Sequence, residues 1–196
     1  PCGSTPTKLS STPCSRRRYS GRRTELCSQT VVMTWSPGPK SPQSAVFSAW
    51  VALAVNAIEI DAGTPHFVAE TNAVRKGRAV DGEFVLACDT LVSLDGVIYG
   101  KPKTERRAID MIKVLNGKEH IVTSGVYVRC GTEETAFTVD SHVVFKKLTD
   151  EEIVSYVKKY RPLDKAGSYG IQDGIIVDRY EGSPDNIIGL PTERVR

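Results

Sequence analysis

Apolar and polar positions alternate with a clear rhythm from Glu59 onward, and this rhythm predicts a series of elements. Phe67, Val68, Ala69, Ala73 and Val74 recur among Glu70, Arg75, Lys76 and Arg78, which predicts a helix over residues 65–80. Phe84-Val85-Leu86-Ala87-Cys88 is an unbroken apolar run of strand length, expected to be buried on both faces and to end at Asp89. Residues 91–94 and 97–99 flank Asp95-Gly96, a hairpin signal because such turns demand positive φ. Thr104 offers an N-cap to a helix whose stripe is Ala108, Ile109, Ile112 and Leu115, closed by Gly117. Residues 120–130 and 135–145 form a second hairpin around Gly131-Thr132-Glu133-Glu134. Thr149-Asp150-Glu151-Glu152 reads as a capping box for a helix reaching Tyr160, ahead of Pro162. A strand over 175–180 and a helical turn at 192–196 complete the pattern. Hairpins mixed with amphipathic helices predict an α/β or α+β domain around a mixed sheet.

The first part of the chain lacks this order. Residues 1–44 are rich in Ser, Pro, Thr and Arg and show neither period, so they read as loop-like or disordered. Residues 45–58 are apolar, and their period leaves a short helix and a buried strand equally open. Charge marks the same boundary. Residues 1–58 hold seven Lys/Arg and one acid, Glu25, for +6; the other 19 Lys/Arg and 22 Asp/Glu give −3, and together they make the net +3. Two segments follow: a basic one over 1–58 and a folded domain over 59–196. A chain of 196 residues suffices for one good-sized domain or two lobes sharing a core.

Composition then narrows the setting. Hydrophobic residues are 40% and charged residues 25%, ordinary for a globular protein. No run approaches the roughly 18 apolar residues of a membrane span, and a secretory signal pattern is missing from the start. The five cysteines are odd in number and show no CxxC spacing, which points away from zinc or a disulfide framework and toward the cytoplasm. The three histidines are scattered.

Several short stretches could carry chemistry. Cys88-Asp89-Thr90 sets a carboxylate at a strand end, where it either meets a cation or caps its own turn. Gly100-Lys101-Pro102 puts a lysine on a stiffened loop, either a phosphate-binding point charge or a solvated turn residue. In residues 164–172, Asp-Lys-Ala-Gly-Ser-Tyr-Gly-Ile-Gln, small residues let backbone approach a ligand while Lys165 and Gln172 offer donors. Glu181-Gly182-Ser183-Pro184-Asp185-Asn186-Ile187-Ile188-Gly189-Leu190-Pro191 is a second small-residue loop. Each alone is compatible with a purely structural role.

Their order is more specific. Ala87-Cys88-Asp89-Thr90, Gly100-Lys101-Pro102, Leu115-Asn116-Gly117-Lys118-Glu119-His120, Thr123-Ser124-Gly125-Val126 and the two late loops, taken together, resemble the Maf family over about residues 59–196. The resemblance implies an α/β, Maf/ITPase-like fold: a mixed, elongated, twisted sheet flanked by helices, with two lobes around a central cleft. It implies hydrolysis of the α–β phosphate bond of a nucleoside triphosphate, giving the monophosphate and pyrophosphate, with Mg²⁺ or Mn²⁺. Asp89 matches the central acid that binds metal or activates water. Lys101 and Lys76 match phosphate-facing lysines, Gln172 the glutamine beside the substrate, and Glu59 an upstream metal-binding acid. The Tyr169-Gly170-Ile171-Gln172 form is similar to the dTTP/UTP-cleaving branch.

At the N-terminus the sequence departs from the family. Members carry a Leu-Ala-Ser-x-Ser-Pro-Arg-Arg loop that binds phosphate; the nearest match here, residues 9–18, offers Ser11, Arg16 and Arg17 with one residue too many between them. No apolar strand precedes it and no helical stripe follows. The compositional break near Glu59 is read as a shifted reading frame over residues 12–58, and a final helix is expected beyond Pro191. Three functions stay open: the pyrophosphatase; a catalytically impaired protein of the same fold, acting through interactions in cell division; and a nucleic-acid binder using the basic segment. The last ranks lowest, because no aromatics interleave the arginines. A homodimer is a further expectation.

Overall fold

The computed structural model describes residues 32–35, 51–53 and 60–195. A seven-stranded sheet runs β2-β1-β3-β5-β6-β7, with β4 also paired to β3. The strands are β1 (Val32–Trp35), β2 (Val51–Leu53), β3 (Phe84–Leu94), β4 (Val97–Tyr99), β5 (Glu119–Cys130), β6 (Glu133–Phe145) and β7 (Val177–Glu181). Helices α1 (Pro65–Arg78), α2 (Glu105–Leu115), α3 (Asp150–Tyr160) and the short α4 (Pro184–Ile188) flank it. The α/β character is as expected. Every described pairing is antiparallel, however, where a mixed sheet was anticipated. Tight turns explain this: Asp95 and Gly96 both take positive φ between β3 and β4, and Gly131 does so between β5 and β6, so neighbouring strands double back.

Two sequence expectations change in the sheet. Residues 32–35, within the stretch read as loop-like, are a strand paired with β3 from Val32↔Ala87 to Trp35↔Phe84. Residues 51–53, in the ambiguous apolar stretch, are a strand paired with β1. Backbone pairing to a neighbour overrode the weak local signal.

The helices begin where their caps predict. Thr104 accepts from Arg107 N, and Thr149 and Glu152 close a reciprocal capping box. Alternation along β3 then sorts the two faces. Val85 and Ala87 pack with Ala73 of α1 and Tyr127, while Leu91 packs with Val68 and Ala69, so odd positions face α1. Val92 and Leu94 face the larger core built with Ile112 and Leu115 of α2 and Ile153 and Val157 of α3. Among the described residues, no helix is long and apolar enough to cross a membrane.

Candidate functional site

Asp89 lies in the middle of β3, not at a strand end. The ladder to β5 runs through it, pairing Asp89 with Gly125. The expected break is absent because Thr90 is β-branched, keeps the extended backbone, and turns its hydroxyl to Ser124 Oγ at 2.6 Å on the opposite face. The outer edge of β3 is different. There β1 pairs with residues 84–87 and β4 with residues 92–94, and no described strand covers residues 88–91. Asp89 therefore sits on a rigid strand at an opening in the sheet.

Gly125 determines what stands over that carboxylate. A Cβ there would lie 2.2 Å from the Ala69 carbonyl carbon and oxygen, so only glycine lets α1 lie directly on the sheet. Gly77, one helical stretch on, makes room for the Tyr127 ring in the same way. With α1 this close, Lys76 donates to Asp89 Oδ1 at 2.6 Å and Asn72 Nδ2 donates to Oδ2 at 3.2 Å. Asn72 also clamps Ile60, accepting from its N–H at 2.8 Å and donating to its carbonyl at 3.1 Å. The Lys76 side chain is 1% exposed and that of Asp89 15%. Lys76, which the resemblance matches to a phosphate-facing lysine, is thus buried against the carboxylate.

A cavity of about 360 Å³ opens at this point, and Asp89, Asn72 and Thr90 are among the residues that line it. Lys101 and Lys103, from the loop after β4, and Lys165, from the loop after α3, line it too. Leu91, Val92, Ile98 and Tyr169 supply apolar wall. Gln172 is exposed on a 3₁₀ turn, Ile171–Asp173, and its neighbour Ile171 is the residue that lines the cavity. Tyr156 of α3 anchors this loop, accepting from Gly170 N at 3.3 Å and donating to Asp173. Ser11, Arg16, Arg17 and Glu59 lie outside the described residues, as does most of the segment read as frame-shifted.

Beneath the wall, polar groups bolt the late loop to the sheet. Asn186, fully buried, donates to the Val122 carbonyl at 3.2 Å and to Ser141 Oγ at 3.0 Å. Ser124 Oγ donates to the Asn186 carbonyl at 3.3 Å, and Thr90 Oγ1 to the Gly189 carbonyl at 3.4 Å. Sequence reasoning marked this loop as small-residue and as part of the family-like motif order; its partners, Ser124, Ser141 and Thr90, were not foreseen. It also missed Lys103 and Asp61, both cavity-lining and both without a motif of their own.

Two buried groups are electrically quiet. Burial pushes the Cys88 thiol up to about 12, so it stays protonated beside Asp89. His120 stands behind Tyr169, with Nε2 and the tyrosine hydroxyl 2.8 Å apart and its ring edge-on to Phe145. Burial pushes its imidazole down to about 4, opposed in part by the Lys118 backbone. The unfolded chain then takes up this proton below about 6.5 while the folded one resists until about 4, so the stability is full above that window and lost as pH falls through it. We expect unfolding free energy to drop by up to about 3 kcal/mol across this window. Urea titrations at several pH values should show His120→Gln flattening that portion of the profile, and a parallel profile would remove His120 as its source.

The described residues include no group of three or more His, Cys, Asp or Glu placed to hold a metal. Among the described lining residues the carboxylates are those of Asp61 and Asp89. Lys76 donates to Asp89 Oδ1 and Asn72 to Oδ2, so the carboxylate stands ionised and oriented in the cavity wall. That set suits Mg²⁺, which is commonly held by one or two carboxylates together with phosphates.

Comparison with known proteins agrees with the sequence reading. The model of the Maf-like protein family matches residues 19–196. A dTTP/UTP pyrophosphatase of Porphyromonas gingivalis is 44% identical over 119 residues, 59% of this chain and 60% of that relative. Those of Thermosipho africanus and Dictyoglomus turgidum are 40% and 42% identical over 135 and 140 residues, 67% of this chain in both cases and 70% and 72% of theirs. The chain thus spans about three fifths of the Porphyromonas gingivalis relative's length. With the family model matching most of its length, the chain belongs to the Maf family.

Proposed function

We propose that this protein is a nucleoside triphosphate pyrophosphatase acting on dTTP and UTP, cleaving the α–β phosphate bond to give the monophosphate and pyrophosphate. One observation carries the reading: Asp89 is held rigidly by Lys76 and Asn72 at the mouth of a cavity lined by lysines. A triphosphate carries several negative charges, and water reaches its phosphorus only once these are countered. Lys101 supplies countercharge directly. Lys76 acts through Asp89, fixing which way the carboxylate points. Gln172, exposed beside Ile171, is assigned the outer end of the substrate. The relatives' names support the choice of dTTP and UTP.

In this reading Asp89 and Asp61 would hold the divalent metal, which supplies Lewis-acid stabilisation of phosphate charge when bound. Asp89 accepts a proton from, or orients, the attacking water, and the apolar wall keeps other water away. Ser11, Arg16, Arg17 and Glu59 remain assigned to phosphate and metal from sequence alone.

The test is a turnover panel with Mg²⁺ in which dTTP, UTP, dCTP, dATP and dGTP are offered in turn. Release of pyrophosphate together with monophosphate from dTTP and UTP, at higher kcat/KM than from the others, is the expected result. Release of orthophosphate, or equal turnover across the panel, would overturn the reading.

A further inference from the structure

Two cations in the cavity wall have no task in the reading above. Lys103 lies two positions beyond Lys101, and Lys165 lines the cavity from the loop after α3. Lys165 is the more telling. Its side chain is 15% exposed, and among the described residues its ammonium has a single partner, Asp164, at 3.3 Å. That carboxylate belongs to the adjacent residue, and its side chain is 55% exposed. A desolvated ammonium needs more compensation than one long contact to a solvated neighbour provides. The lysine stem is also deliberately seated. A Cβ at Gly170 would stand 3.3 Å from Lys165 Cε and 3.0 Å from Gln172 Oε1, so the glycine brings lysine and glutamine together over a backbone pinned by Tyr156.

Charge indicates the ligand. Among the described residues the cavity lining holds three lysines, 101, 103 and 165, against two carboxylates, Asp61 and Asp89, and Asp89 is already matched by buried Lys76. The surplus favours a polyanion. Uracil and thymine are neutral and would leave it unmet. Resting on the pyrophosphatase reading, we infer that Lys165, with Lys103 and Lys101, forms the subsite for the pyrophosphoryl part of the triphosphate, the group that departs. Water oxygen bonds to the α-phosphorus as the bond to the α–β bridging oxygen breaks. The bridging oxygen keeps the electron pair and leaves on pyrophosphate, and the water's proton passes to the base and then to solvent. Lys165 donates to the departing group, whose charge rises in that step.

The experiment is calorimetric titration of the full chain with inorganic pyrophosphate and, separately, thymidine monophosphate, both with Mg²⁺. Lys165→Met should weaken pyrophosphate about ten- to a hundredfold, the loss of one or two charge-assisted bonds, and leave the monophosphate within about twofold. Lys165→Arg should keep most of the affinity. Unchanged pyrophosphate binding in Lys165→Met, or an equal loss for the monophosphate, would overturn the subsite. If Lys165→Met melts before it can be titrated, Lys103→Met decides, with at least about a tenfold loss for pyrophosphate alone expected and no loss overturning it. The outcomes separate the two claims. Wild type that binds pyrophosphate through Lys165 but turns over no dTTP keeps the subsite and loses the pyrophosphatase, whereas turnover without pyrophosphate binding does the reverse.

Discussion

Asp89→Asn is expected to lower kcat for dTTP hydrolysis by about a thousandfold while KM changes little. The amide has nearly the same shape as the carboxylate, so the substitution removes charge and basicity more than volume. Either reading of the carboxylate's role is hit. Asparagine neither takes a proton from water nor offers a metal the anionic oxygens that Mg²⁺ prefers. Part of the effect falls on stability, because Lys76 is 1% exposed and loses its charged partner. Breaking a buried pair on one side costs about 3 kcal/mol or more, although an amide oxygen still accepts from the ammonium and recovers some of it. Activity should therefore be compared at a temperature where thermal melts show wild type and variant both folded. Equal turnover under that condition would remove Asp89 from the chemistry.

The second large effect is expected from a residue with no functional group. Gly125→Ala places a methyl 2.2 Å from the Ala69 backbone, and ordinary contact begins at 3.4 Å, so α1 must retreat by about 1 Å. Neither partner is a flexible side-chain tip: one is helix backbone, the other a central strand bonded to β3 and β6. Overpacking of this kind costs about 3 kcal/mol. The retreat also draws Asn72 and Lys76 away from Asp89, so kcat should fall even in the folded fraction. Urea unfolding and dTTP turnover on the same preparation measure both. A variant within about 0.5 kcal/mol of wild type would mean that α1 does not rest on this strand.

These two residues also show which parts of the molecule were legible in sequence. Elements set by neighbours in the chain were readable: Asp95-Gly96 dictated a turn, Thr149 and Glu152 a helix start, and the stripe from Ala108 to Leu115 a helix face. Asp89 was recognised as chemically important, yet the strand was expected to stop there. An acid inside an apolar run looks like a terminus when its cross-strand partner, Gly125, is 36 residues away. Lys76 was matched to a phosphate-facing lysine, and only the fold puts its ammonium on Asp89, 13 residues away on another element. Lys165 was seen as a donor, and only the folded loop shows that its stem is buried over Gly170. Residues 32–35 were missed because four residues give period analysis too little to act on, while a ladder to β3 gives them a place.

The alternation along β3 has a wider consequence. Asp89 and Thr90 point to opposite faces of one strand, and that strand is hydrogen-bonded to β5, which is itself flanked by β6. The β3 amides that donate to β5 are expected to exchange more slowly than those of the loops bearing Lys101, Lys103 and Lys165, which lie outside the sheet. The carboxylate thus belongs to the sheet and the lysines to the loops around it. In the proposed reaction the loops would adjust to the triphosphate and to the leaving pyrophosphate while the sheet holds the carboxylate in register.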